Sequence, residues 1–160
     1  MAIKQAVDRT DIAILSILAK NARVSNKELA AAVGLAPSSC HERLKALREN
    51  KVLLGSHAEV NLTAVGFSIE AILFIQLAKM GAGQVDNYLK KTAAISEVRN
   101  VFLISGHYDL VVYVAVRNME HLKRTISDHF HQAFVTRVET SVVFNHLTHH
   151  ALPEFDEADT

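Results

Sequence analysis

Ser38, Ser39, His41, Glu42, Lys45 and Arg48 crowd into the stretch that opens at Pro37. Hydroxyls, an imidazole and cations at close spacing are the groups that touch phosphate oxygens and base edges. Upstream, Ser25 and Asn26 can offer backbone N–H groups to a phosphate if a helix starts there. A second set, Ser105-Gly106-His107-Tyr108-Asp109, joins a glycine to an aromatic and a carboxylate. Glycine permits a tight hairpin, the aromatic can wall a small pocket, and Asp109 can receive an α-ammonium or simply order the turn. On spacing alone the plain hairpin is the stronger reading. Thr136, Thr140 and Ser141 are candidate polar partners for such a pocket. The nine histidines suggest a metal or haem. His129 and His131 are two apart, however, and on a helix point to nearly opposite sides. His146, His149 and His150 have no cysteine or carboxylate at a ligand spacing. They read as solvated groups that can tune assembly with pH, and no metal or other cofactor is expected. The absence of a nucleophile–base–orienter set, a phosphate-binding loop or a zinc motif argues against an enzyme.

The elements that must carry the first set are short helices. Ile14, Leu15 and Leu18 recur at helical spacing within a helix expected from Asp11 to Lys20. Ser25 followed by Glu28 is a capping box, and Leu29 and Val33 give the second helix its apolar stripe. Gly34 closes it in the left-handed conformation. Pro37 suits the first position of a third helix, whose buried stripe is Cys40, Leu44 and Leu47. A capped helix, a glycine turn and a longer helix make a helix-turn-helix. A plain three-helix bundle with a solvated polar face fits this pattern about as well. Cys40, on the buried stripe with no basic neighbours, reads as a packed small hydrophobe and not a nucleophile.

The second set falls in a different kind of domain. Strands are expected over Ile69–Ala78, Val98–Ile104, Leu110–Val116 and Val135–Phe144. Gly81 and Gly83 punctuate before a helix marked by Val85, Tyr88 and Leu89. Asn118 caps another helix carrying Met119, Leu122, Ile126 and Phe130. The order βαββαβ is ferredoxin-like, so the fold class is α+β. The strands are apolar on both faces, as Ile72 and Phe74 opposite Ala71, Leu73 and Ile75 illustrate. Two helices cover only one face of the sheet, so the other should pack on a partner chain.

With 160 residues the chain has room for one or two small domains. Its net charge of zero conceals an asymmetry: nine Lys and Arg against six Asp and Glu give +3 over residues 1–60, and eight against eleven give −3 over the rest. That is a weak hint of nucleic acid on one side only. No apolar run approaches the ~20 residues of a membrane helix, and Asp8, Arg9 and Asp11 interrupt any signal-peptide core. A single cysteine excludes a disulfide framework and fits a reducing cytoplasm.

Several runs together resemble the leucine-responsive regulator (Lrp/AsnC) family. They are Asp11-Ile12-Ala13-Ile14-Leu15-Ser16-Ile17-Leu18, Asn21-Ala22-Arg23-Val24-Ser25, Glu28-Leu29-Ala30, Val33-Gly34-Leu35 and Glu42-Arg43-Leu44-Lys45-Ala46-Leu47. Leu53 to Asn61 is similar to that family's strand and hinge between domains. The match covers nearly the whole chain, with one departure: Ala36 stands where Ser or Thr usually caps the third helix. The resemblance implies a winged-helix-like helix-turn-helix over 1–55, a hinge strand and linker over 56–66, a ligand-sensing and oligomerisation domain over 67–150, and an acidic, frayed tail over 151–160. It implies a sequence-specific transcription regulator, cytoplasmic and nucleoid-associated, that binds double-stranded DNA and a small effector of amino-acid type. It implies dimers formed sheet to sheet, often four to a ring. Family members nearly always carry arginine at position 43; here Arg43 is expected to touch phosphate, with bracing through Glu28 or Glu42 as the alternative. Gly106-His107-Tyr108-Asp109 is similar to the family's glycine-x-aromatic-aspartate turn near the effector, a likeness that shifts the balance from hairpin towards effector site. Sirohaem decarboxylases share the architecture, and an effector-independent architectural DNA-binding protein is a further alternative.

Overall fold

The computed structural model describes residues 7–79 and 81–153; of the acidic tail, residues 154–160 lie outside the described residues. The chain divides into two compact units, residues 60–146 forming one and the described residues on either side the other. The smaller unit holds α1 (Arg9–Lys20), α2 (Asn26–Ala32) and α3 (Pro37–Glu49). Helix α1 starts earlier than the apolar spacing predicts, because Asp8 is its N-cap and closes a capping box with Asp11. The Asp8 side chain accepts from the Asp11 N–H at 2.9 Å, and the Asp11 side chain accepts from the Asp8 N–H at 3.2 Å. Helix α2 has the expected box between Ser25 and Glu28.

Gly34 ends α2 at φ +69°. The turn lets the Leu35 N–H reach back to the Ala30 carbonyl at 2.9 Å and points Leu35 into the core, as a Schellman stop does. Ile14, Leu29, Ala30, Cys40, Leu44 and Leu47 form that core, so every apolar position read from the third helix is buried. A second stop of the same kind ends α3, but Lys51 takes the left-handed position there at φ 58°, with the Val52 N–H on the Leu47 carbonyl at 2.9 Å. No strand follows. The strand expected within 53–66 is absent: residues 54–61 have no regular structure, and Thr63–Val65 form a single 3-10 turn. An isolated strand leaves its ladder groups unpaired, and among the described residues no backbone hydrogen bond pairs 54–61.

The larger unit is β1 (Ile69–Leu77), α4 (Ala82–Ala93), β2 (Val98–Leu103), β3 (Leu110–Val116), α5 (Met119–Phe130) and β4 (Val135–Val143). All pairings are antiparallel, in the order β2-β3-β1-β4. Gly83 lies inside α4 and punctuates nothing; Gly81 is the N-cap. Asn118 caps α5 by accepting from the His121 N–H at 2.8 Å. Helix α4 packs over β2 and α5 over β3. The core between helices and sheet includes Leu73, Ile75, Val112, Val114, Leu122 and Phe130.

Register assigns the opposite face. Ile72 lies between Tyr113 and Ser141, and Phe74 between Val111 and Glu139, with Phe102 beyond Val111. Among the described residues, neither helix of the larger unit covers this face. Phe102 is 51% exposed and the middle of the sheet is half-buried. At one end Glu70 accepts from the Tyr113 hydroxyl and lies 3.2 Å from the His146 imidazole. Burial first, and the Glu70 carboxylate second, push the Tyr113 phenol up.

Candidate DNA-reading surface and effector turn

Helix α3 is fixed from beneath by Cys40, Leu44 and Leu47 and from one end by Asn26, whose amide donates to the Pro37 carbonyl at 2.8 Å. The opposite face carries the predicted chemistry. Ser38, His41, Lys45 and Arg48 are all exposed and follow one another at spacings of three and four, a single row along the helix. Glu42 and Ser39 are exposed beside it. Ala36 supplies no side-chain cap, so the first-turn N–H groups of Ser38 and Ser39, next to their own hydroxyls, are available to an acceptor from outside.

Two expected contacts are reassigned by the structure. Arg43 lies off this row: its guanidinium donates to Asp8 at 2.6 Å and Asp11 at 3.0 Å. Neither Glu28 nor Glu42 is the partner. Glu28 is occupied in the α2 capping box, and Asp8 and Asp11 present two carboxylates together at the start of α1. The pair lifts Arg43 further above its usual range, chiefly through Asp8. The Asp8 carboxyl is held low, first by the Asp11 N–H and then by Arg43. Arg43 therefore ties α3 to α1, the bracing role expected as the alternative, but through Asp8 and Asp11 in place of Glu28 or Glu42. Ser25 is the second case. Its N–H donates to Glu28 at 2.9 Å and its hydroxyl to the same oxygen at 2.7 Å, so the capping box has used the donor expected to face a phosphate. The Cys40 thiol is buried and pushed up by that burial, the inert packing role expected.

The segment from Ser105 to Asp109 joins β2 to β3, with Gly106 at φ +130°. Asp109 organises it. Its carboxylate accepts from the Leu77 N–H at 2.7 Å, at the point where the β1–β4 register shifts, and its backbone bonds Ile75 and Ile104, each at 2.9 Å. The turn has two sides. Towards the uncovered sheet face, Tyr108 stacks on Phe74 with centroids 5.3 Å apart and meets His107 edge-on at 4.8 Å. Its hydroxyl bonds Glu139, which raises the phenol and lowers the carboxyl; Arg137 pairs with Glu139. Towards α4, a cleft of about 480 Å³ is walled by Leu77, Val85, Leu103 and Ile104, with Lys79, Asp86 and Asp109 as its charges.

Ser105, Gly106, His107, Tyr108 and Asp109 are thus brought together, and Thr140 is not. It pairs with Leu73, on the opposite face from Glu139 and four residues along β1 from Leu77. The residues missed by sequence reading are Phe74, Arg137 and Glu139 on one side and Lys79 and Asp86 on the other. Strand alternation marks which share a face; only the register reveals that they meet at this turn. Among the described residues no cluster of three or more His, Cys, Asp or Glu is placed to hold a metal ion, and no helix is long and apolar enough to cross a membrane.

A helix-turn-helix followed by a ferredoxin-like domain with a cleft at its β2–β3 turn defines a two-domain, ligand-responsive class of DNA-binding protein. Residues 7–48 match the AsnC-type helix-turn-helix domain, and residues 70–153 match the Lrp/AsnC ligand binding domain. The chain belongs to the Lrp/AsnC family of transcription regulators. The HTH-type transcriptional regulator AldR of Mycobacterium tuberculosis is 31% identical over 142 residues, 88% of this chain and 79% of that protein. The leucine-responsive regulatory protein of Haemophilus influenzae is 29% identical over 122 residues, 76% of this chain and 74% of its own. The crystal structure of AldR aligns with a TM-score of 0.80 at 28% identity, covering 91% of this chain and 97% of the chain in that structure. A Neisseria meningitidis transcriptional regulator in complex with L-methionine aligns with a TM-score of 0.83 at 25% identity, covering 92% and 97%.

Proposed function

We propose that this regulator reads a roughly palindromic DNA site through the Ser38–His41–Lys45–Arg48 row, with Glu42 and Ser39 beside it. In this reading an amino acid at the β2–β3 turn alters its assembly. The observation that carries the DNA reading is the row itself. It is exposed, and it rides on a helix held rigid by its own core stripe, by Asn26 and by Arg43. Lys45 and Arg48 supply phosphate attraction, while Ser38 and His41 suit base edges. The N. meningitidis relative holding L-methionine supports an amino-acid effector. Lys79 in the turn cleft suits the carboxylate of such a ligand, and Asp109 or Asp86 its ammonium.

The uncovered sheet face supports a dimer joined sheet to sheet. Dimers meeting at the turns would build the octamer and give the effector a contact to stabilise. A ligand shifts such an equilibrium only by its difference in affinity between assemblies. This reading has the protein working without a cofactor, in the cytoplasm and on the nucleoid. The test is selection of bound duplexes from a random library, followed by sedimentation velocity with and without L-methionine. Half-sites should be spaced by about one helical turn, ~34–36 Å, or a multiple. Selection of no common sequence would overturn the DNA reading. A mass that methionine and the other amino acids leave unchanged would overturn the effector reading.

A further inference from the structure

A second cleft follows α4 on the helical side of the larger unit, and it shares no lining residue with the cleft at the turn. Its two lobes, about 280 and 270 Å³, meet at Tyr88, Lys91 and Phe134. The second lobe runs on over Thr92 and Ile95 to Asp128 and His129 of α5. Tyr88 and Thr92 stand one turn apart on α4 and are 7% and 1% exposed. The Tyr88 Oη and Thr92 Oγ1 atoms have no hydrogen-bond partner among the described residues. Thr92 lies near enough to favour the phenolate slightly against the burial that pushes the Tyr88 phenol up, yet the two hydroxyls do not meet at hydrogen-bond geometry.

Orphans of this kind are rare in folded proteins. A helical threonine has a ready local solution, donation to the carbonyl four residues back. Thr125 of α5 takes it, bonding the His121 carbonyl at 2.9 Å; Thr92 does not. One water fills roughly 30 Å³ of liquid, a small part of either lobe, and the walls at Phe134 and Ile95 are apolar. The occupant that fits has a polar head for two hydroxyl donors and an apolar body. Lys91 at the junction of the lobes makes an anionic head the better match. A carboxylate only accepts, and hydrogen bonds to it are charge-assisted.

We propose that this cleft binds a small organic carboxylate, its head group on the Tyr88 and Thr92 hydroxyls and Lys91, its body against Phe134 and Ile95. Both hydroxyl oxygens lie beneath the cleft surface, so a side chain of the cleft wall must turn aside for a ligand to reach them. The site is independent of the one at the turn.

Isovalerate and isopentylamine carry the same apolar body with opposite heads, and they test the assignment on the full chain by calorimetry and thermal unfolding. Isovalerate should bind and raise Tm, and isopentylamine should do neither. Tyr88→Phe and Thr92→Val should each weaken isovalerate about tenfold, the effect of one hydrogen bond to a charged group. Neither substitution should lower the ligand-free Tm, because each removes a hydroxyl that has no partner. The proposal is overturned if isovalerate does not bind, if isopentylamine binds as well, or if both variants bind like the wild type. It is equally overturned if either variant is less stable without ligand, since its hydroxyl then has a partner inside the protein.

Discussion

Arg43→Met separates a brace from a DNA contact, because the two roles predict opposite results in two assays. Methionine keeps the aliphatic stem that packs beside the α3 core and removes only the guanidinium. Two interactions go with it. The Asp8 carboxylate is 50% exposed, and an ion pair there contributes about 0.2–1 kcal/mol. The Asp11 carboxylate is 11% exposed, and a charged hydrogen bond in that setting contributes about 1.5–3 kcal/mol. The two share one guanidinium and do not add fully, so the expected loss is about 2 kcal/mol. For a domain of this size that lowers Tm by about 8–16 °C. The loss should depend on pH in a fixed direction. Asp8 is held below its ordinary value of 3.8, so its stabilisation is complete above that pH and disappears as pH falls through the folded value. The gap between wild type and variant should therefore be constant from neutrality to about pH 5 and narrow below about pH 4. DNA binding, followed by anisotropy against salt at a temperature where the variant is folded, should keep its slope. Lys45→Ala is the converse: it should leave Tm nearly unchanged and lower the slope by about 0.9, the loss of one neutralised phosphate. An Arg43 variant that melts like the wild type and loses a unit of salt slope would refute the brace.

Gly34→Ala should cost about 1 kcal/mol, all of it backbone strain at φ +69° since a Cβ there meets nothing within 4 Å; Lys51→Gly, at φ 58°, should gain about as much. Chemical denaturation measures both, and an unchanged midpoint in either would show that the stop relaxes. Ile72→Lys places a charge at the centre of the uncovered sheet face and should halve the sedimenting mass; a dimer that survives it does not use this face. Gly106→Val, at φ +130°, should abolish the response to effector and leave ligand-free DNA binding intact, whereas normal effector affinity in that variant would place the pocket elsewhere.

Much of the fold was legible because its signals are local. Ser25 with Glu28, Gly34, Pro37 and Asn118 each mark a boundary through the backbone groups they satisfy or the φ they permit, and each marks one here. Strand alternation likewise separated the covered from the uncovered face. The failures concern choices between distant partners. Arg43 had four carboxylates within plausible reach; the capping box with Ser25 committed Glu28, but nothing in the apolar spacing says that α1 starts at Asp8 and brings Asp8 and Asp11 together. The hinge strand depends on a neighbour that the sequence cannot name. Thr140 alternates correctly with Glu139, but which of them lies beside Tyr108 depends on the register across three strands.

That register also gives the effector reading its physical path. Asp109 accepts from Leu77, and β1 carries Leu77 at the turn cleft, Phe74 under Tyr108, and Ile72 at the centre of the uncovered face. One strand therefore touches all three places. In the proposed reading, the ligand's ammonium shares the Asp109 carboxylate with the Leu77 N–H, which occupies only Oδ2. A ligand that turns the carboxylate towards itself therefore disturbs the β1 bulge, unless a second assembly accommodates both. A site whose anchor is already a structural hydrogen bond is thus tied to the packing of the sheet, whereas a free surface carboxylate could bind the same ammonium and change nothing beyond itself.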